Sequence, residues 1–163
     1  MARKEQLRGQ RTGTVINLIS KNQEKDIIKA LIIVLGQLEQ KFGAEISFHH
    51  QKQWLLKTIV EELAEYYSEM EFHYHFDTSS IRPDGGILFL QSKEKDDPFT
   101  YPILISEVKN QGTNDIRLKE GLAKQAKGNA IERLGKNLIG LRAALSRESI
   151  FPFVCFGYGC DFE

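Results

Sequence analysis

A chain of 163 residues with 22 basic and 22 acidic side chains is sized for one domain around a single core, and its zero net charge excludes a protein that coats nucleic acid through bulk positive charge. Any contact with a polyanion must come from local patches. The two cysteines, Cys155 and Cys160, are too few for a disulfide framework or a zinc ribbon and read as reduced thiols.

Residues 1–11 are polar and basic and lead into no signal-peptide core, and the longest apolar stretch, residues 30–35, is far too short to span a bilayer. A soluble cytoplasmic protein is expected. With four prolines and no repeat or low-complexity tract, no linker divides the chain. The expectation is a single domain over residues 1–163, helical over about 1–70, with its core over about 71–163.

In chain order, Ile27, Leu31, Val34, Leu35 and Leu38 recur at helical spacing, and Gly43 supplies a stop just past Phe42. A further helix carries Trp54, Leu55, Ile59, Leu63 and Tyr66. The period then changes. Phe72, Tyr74 and Phe76 alternate with His73, His75 and Asp77, which predicts a strand with one buried face. Residues 87–90 and 103–107 are two more short apolar runs, separated by a charged loop over residues 92–97 that ends at Pro98, so a β-meander is expected. Over residues 119–146 the helical period returns in Ile131, Leu134, Leu138, Leu141 and Leu145, and residues 150–156 form a last strand. Helices, three strands, a long helix and a strand predict an α/β fold: a central mixed sheet flanked by helices.

Chemistry concentrates at the ends of two of these strands. Asp84 lies between Pro83 and Gly85-Gly86, a turn that leaves its carboxylate exposed where the next strand begins. Glu107 ends the following strand, and alternation puts Glu107 and Lys109 on one face with Val108 pointing to the core on the other. If the two strands pair as a hairpin, Asp84 and Glu107 meet at its open end. Facing carboxylates repel unless they share a proton or a hard cation such as Mg²⁺. A neighbouring lysine can polarise or orient a water while the cation neutralises charge developing on a phosphate, an arrangement suited to phosphodiester hydrolysis. Taken alone the signal is weak, because a surface Asp and a Glu-Val-Lys triplet at a strand end arise by chance in many proteins.

Four segments supply context: Ser79-Ser80-Ile81-Arg82-Pro83-Asp84-Gly85-Gly86-Ile87; Glu107-Val108-Lys109 with Gln111-Gly112; Gly128-Asn129-Ala130-Ile131-Glu132-Arg133 with Lys136-Asn137; and Phe151-Pro152-Phe153-Val154. In sequence and order they resemble the EcoRI group of type II restriction endonucleases, over residues 70–160 closely and over the N-terminal helices loosely. The resemblance implies a restriction-endonuclease-like fold and a homodimeric, Mg²⁺-dependent bacterial enzyme cutting both strands of a short palindrome, AATT-centred and GAATTC-like. It assigns Asp84 and Glu107 as metal ligands, Lys109 beside the attacking water, and Asn129, Ala130, Glu132 and Arg133 to base recognition in the major groove of double-stranded DNA. Arginine donates to purine N7 or O6 and glutamate accepts from exocyclic amines, which agrees with the last assignment. Arg82, Lys136 and Asn137 match positions near the DNA backbone, where they set register without reading sequence. A cognate DNA methyltransferase is expected in the host, without direct contact.

The alternatives to these roles are ordinary ones: Asn129 caps the helix, Glu132 and Arg133 form a solvated pair, and Arg82, Lys136 and Asn137 are surface charge and polarity. There are also departures from the family pattern. Asn110 stands where the best-known member has histidine, the stretch from Gln111 to Gly128 is shorter, Lys127 replaces a small residue, and the sequence closes at Glu163, so that the family's C-terminal segment is expected to be absent. A DNA-binding protein of the same fold with weak or lost cleavage is the second functional reading. His73, His75 and Asp77 as a zinc site, His49-His50 as more than loop surface, and Gly135-Lys136 as a phosphate loop are weaker readings. Tyr66 and Tyr67 read as core.

Overall fold

The computed structural model describes residues 15–94, 99–110, 118, 119, 121, 123 and 129–158. Its elements are α1 (Val15–Phe42), β1 (Ile46–Gln51), β2 (Trp54–Leu55), α2 (Leu56–Tyr66), β3 (Ser80–Ile81), β4 (Gly86–Ser92), β5 (Thr100–Asn110), α3 (Asn129–Ala144) and β6 (Phe153–Tyr158). Four strands form one sheet in the order β1-β4-β5-β6, and β2 and β3 form a small antiparallel pair. β4 runs antiparallel to both of its neighbours, β1 and β5, while β6 lies parallel to β5 across a crossover that includes α3. The α/β class expected from sequence, a mixed sheet with helices, is the observed one.

α1 stops at Phe42, where the Gly43 amide donates to the Glu39 carbonyl at 2.9 Å. A side chain at position 43 would collide with that carbonyl, so glycine closes the helix. The Glu39 carboxylate then accepts from the Phe48 amide at 2.6 Å and ties the helix end to β1.

Two expectations are corrected here. Residues 46–51, inside the part read as helical, form a strand paired with β4 from Ile46↔Ser92 to Gln51↔Ile87. Residues 72–76, read as a strand, pair with no strand among the described residues. Phe72 and Tyr74 are half-buried and His73 and His75 exposed, so the alternation is real, but no neighbouring strand meets it and Phe76 points into solvent. The meander is therefore not built from residues 72–76. The second helix starts at Leu56, because Trp54 and Leu55 are used in pairing to Ile81 and Ser80. Of the helix expected over residues 119–146, the described body is α3, and the last strand begins three residues later than expected, at Phe153, and ends at Tyr158.

The core lies on one face of the sheet, where Ile87, Phe89 and Ile105 meet Trp54, Ile59 of α2, Leu141 of α3 and Leu145 in the turn just after it. Ile87, Ile105 and Leu141 are wholly buried, each contributing roughly 1.5–3 kcal/mol relative to exposure. α1 contacts β1, β4 and β5, and its Leu31 is buried. Among the described residues no helix is long and apolar enough to cross a membrane.

Candidate active site

The turn into β4 is pressed onto the middle of the sheet. Gly86 donates its amide to the Pro83 carbonyl at 3.0 Å, closing a β-turn, and Gly85 donates to the Ser106 carbonyl at 2.9 Å, fixing that turn on β5. Both glycines are required by space. A Cβ at position 85 would overlap the Ser106 hydroxyl and lie 2.8 Å from Ser106 Cβ and 3.0 Å from Ile27 Cγ2. Gly86 has φ of +83°, open to glycine at little cost, and a Cβ there would strike the His50 ring and the Gln51 carbonyl. His50 Nε2 lies 2.9 Å from the Gly85 carbonyl, so β1 braces the turn from the other side.

Held this way, Asp84 faces the end of β5. Gly86 pairs with Ser106 in the β4–β5 hairpin, which brings Asp84 to Glu107 across 23 residues of sequence. The Asp84 amide donates to Glu107 Oε2 at 3.2 Å. Lys109, two residues on along the same face of β5, donates to Asp84 Oδ2 at 2.8 Å, to the Val108 carbonyl at 3.3 Å, and to Glu107 Oε1 in a short contact. Both carboxylates thus converge on one ammonium. Asp84 has 37% of its side chain exposed, Lys109 13% and Glu107 only 1%, so the three grade from surface to interior. Burial pulls the Lys109 ammonium toward its neutral form, but hydrogen bonds to Asp84 and Glu107, with their charges, outweigh it and hold its pKa above the ordinary lysine value.

Glu107 is buried because α3 covers its face of β5. A two-residue step along a strand and a four-residue step along a helix each advance roughly 6–7 Å. With Leu141 and Ile105 in one core cluster, the next step toward the strand end pairs Asn137 with Glu107, and Asn137 Nδ2 donates to Glu107 Oε1 at 3.2 Å. Val108, on the opposite face, is buried too.

The structure therefore brings together Asp84, Glu107, Lys109 and Asn137 from the proposed site residues. Arg82 is exposed nearby, with Nε donating to Ser80 Oγ at 2.9 Å. Glu132 pairs with Lys136 at 2.7 Å on the exposed side of α3, both side chains more than 60% exposed. The backbones of Asn129, Ala130 and Arg133 begin α3, but their side chains, with Gln111, Gly112, Lys127, Gly128, Cys160 and Glu163, lie outside the described residues.

Four residues of this neighbourhood were not assigned to the site from sequence. His50 looked like loop surface because β1 was not recognised, although Ile46 and Phe48 alternate with Ser47 and His49. Ser106 is wholly buried under Gly85, a closeness no local pattern announces. Glu24 of α1 lies one turn before Ile27; burial, and then the charge of Asp84, raise its carboxyl pKa, with Lys109 and Lys21 opposing. Cys155, paired in register with Glu107, is a free thiol whose pKa burial pushes up.

The donor set fits a hard divalent cation. Two carboxylates aim oxygens at one point already filled by positive charge, and Mg²⁺ commonly takes one or two carboxylates, completing its shell with water and substrate phosphate. Among the described residues no group of three or more His, Cys, Asp or Glu is placed to hold a metal unaided, so such a site would draw its remaining ligands from elsewhere.

A family model described as "Restriction endonuclease EcoRI" matches residues 9–163. The type II restriction enzyme RsrI of Cereibacter sphaeroides is 33% identical over 138 residues, 79% of this chain and 48% of that enzyme. The type II restriction enzyme EcoRI of Escherichia coli is 32% identical over 127 residues, 72% of this chain and 44% of that enzyme. The chain spans about half the length of the curated relatives it matches.

Proposed function

Since the chain belongs to the EcoRI restriction endonuclease family, we propose that it carries the cutting site of a type II site-specific deoxyribonuclease that hydrolyses both strands of a short palindromic DNA sequence with Mg²⁺. The observation that carries the reading is the convergence of Asp84 and Glu107 on the Lys109 ammonium. In this reading Asp84 and Glu107 hold the cation, which when bound neutralises charge developing on the scissile phosphate. Lys109 keeps its proton and, once released from the carboxylates, donates hydrogen bonds that orient the attacking water and a phosphate oxygen. Burial of Glu107 beneath α3 excludes bulk water from one side of the site and so strengthens each of these interactions.

Base recognition falls to Asn129, Ala130, Glu132 and Arg133 at the start of α3, with Arg82 and Lys136 on the DNA backbone. Glu132 on the exposed side of the helix is supported by its solvent-facing pair with Lys136, from which cytosine or adenine amines can draw it. A palindromic site, GAATTC-like by family, calls for a homodimer whose two-fold axis matches that of the DNA. The host then needs a DNA methyltransferase to protect its own sites.

The test is cleavage of plasmid DNA by the purified protein with Mg²⁺ or EDTA, with sequencing of the product ends. Discrete cuts at one palindrome are expected with Mg²⁺, and none for Asp84→Ala with an unchanged circular-dichroism spectrum. Random nicking, undiminished cutting by Asp84→Ala, or specific binding with no cutting at all would each overturn the reading, the last in favour of a DNA-binding protein.

A further inference from the structure

The resemblance puts Asn137 beside the DNA backbone, yet its side-chain amide points inward, 3.2 Å from an oxygen of the buried Glu107. On the reading of Asp84 and Glu107 as the cation-holding pair, we propose that Asn137 is a positioning residue for Glu107, and that through it the helix assigned to DNA reading fixes the carboxylate assigned to the cation.

Each Glu107 oxygen receives one neutral donor: the Asp84 amide on Oε2 and the Asn137 amide on Oε1. One comes from the β4 turn and the other from α3, so together they fix the plane of the carboxylate. The third donor, Lys109, is charged, and it also holds Asp84. A cation arriving between Asp84 and Glu107 takes the place of that ammonium. Only the neutral donors can stay, because they carry no charge to repel the cation. Asn137 then keeps Oε1 oriented once Lys109 has left. Hydrogen bonds of this kind to a ligating group commonly govern metal affinity by ten- to a hundredfold.

The placement also gives the helix a mechanical part. Asn137 sits one turn after Arg133 and one turn before Leu141, which is wholly buried in the core. A displacement of the start of α3 on seating against DNA is thus transmitted to Glu107 about Leu141 as a fixed point. Asn137 follows Lys136, whose pair with Glu132 lies on the outer surface of the same helix.

Mn²⁺ binding to the DNA-free protein, followed by electron paramagnetic resonance, separates the roles. It is measured for wild type, Asn137→Ala, the shape-preserving Asn137→Leu, and Asp84→Ala. Binding of a cognate oligonucleotide in EDTA over a range of salt runs in parallel, as does urea unfolding. Both Asn137 variants should bind Mn²⁺ about tenfold or more weakly, with metal-free DNA affinity within about twofold of wild type and an unchanged salt slope. Mn²⁺ binding unchanged in both variants overturns the proposal. If metal-free DNA affinity then also falls and the salt slope shrinks by about one, Asn137 is a backbone contact instead. If Asp84→Ala too leaves Mn²⁺ binding intact, it is the underlying cation site that fails.

Discussion

Replacing Lys109 with methionine removes the cation that both carboxylates share while keeping the bulk of the side chain. Glu107, 1% exposed, is left as a buried carboxylate with no charged partner. Breaking a buried ion pair from one side costs about 3–5 kcal/mol. Two neutral donors, the Asp84 and Asn137 amides, still hold Glu107, and Asp84 with 37% exposure is screened by solvent, so about 2–3 kcal/mol is expected for this site. With an m-value of about 1–3 kcal/mol/M, the urea midpoint in EDTA should fall by roughly 1–2 M. A divalent cation should return much of that loss, because nothing competes for the space between the carboxylates. At ten times its dissociation constant it restores about 1.4 kcal/mol. Wild type, where the ammonium must first be displaced, should gain less from the same cation. The assay is urea unfolding of both proteins in EDTA and at stepped Mn²⁺ concentrations. A variant as stable as wild type in EDTA, or one that gains no more from Mn²⁺ than wild type, refutes the account of a carboxylate pair held together by shared positive charge.

Gly85→Ala should cost about 1–3 kcal/mol by overpacking and cut cleavage more than tenfold, since its Cβ would overlap Ser106 and push the turn, and Asp84 with it, off β5; thermal melts beside cleavage rates check it, and an unperturbed rate would show that the turn has slack. Glu132→Ala removes an exposed pair with Lys136, so unfolding should shift by no more than about 0.5 kcal/mol, while discrimination between cognate and one-base-altered oligonucleotides at matched salt drops about tenfold. Equal loss on all DNA would make Glu132 a non-specific contact.

What could be read from sequence was what local chemistry dictates. The Pro83-Asp84-Gly85-Gly86 turn, the stop at Gly43 and the leucine spacing of α3 each need only a few neighbouring residues. So does the shared face of Glu107 and Lys109 on β5. What escaped depends on partners far away. β1 exists because residues 87–92 lie ready to pair with it, and residues 72–76 fail as a strand because none among the described residues does, although their alternation is the cleaner of the two. Burial of Glu107 was equally hidden. Alternation gives its face but not that α3 covers it, and the contact of Asn137 follows only from laying the helix on the strand. An Asp and a Glu-Val-Lys triplet gain weight as a candidate cation site at the scale of family motifs, not of single residues.

The matched stride of α3 and β5 bears on how such a chain can diverge. One residue inserted between Asn129 and Leu141 turns everything before it by about 100° relative to the core, carrying the Asn129 end of the helix to another bearing. Substitution at the helix start leaves the stride untouched. On the proposed base-recognition role, new DNA preferences should therefore arise by exchange of side chains at positions such as 132, with insertions and deletions confined to the stretch before Asn129 and to the β4–β5 connection.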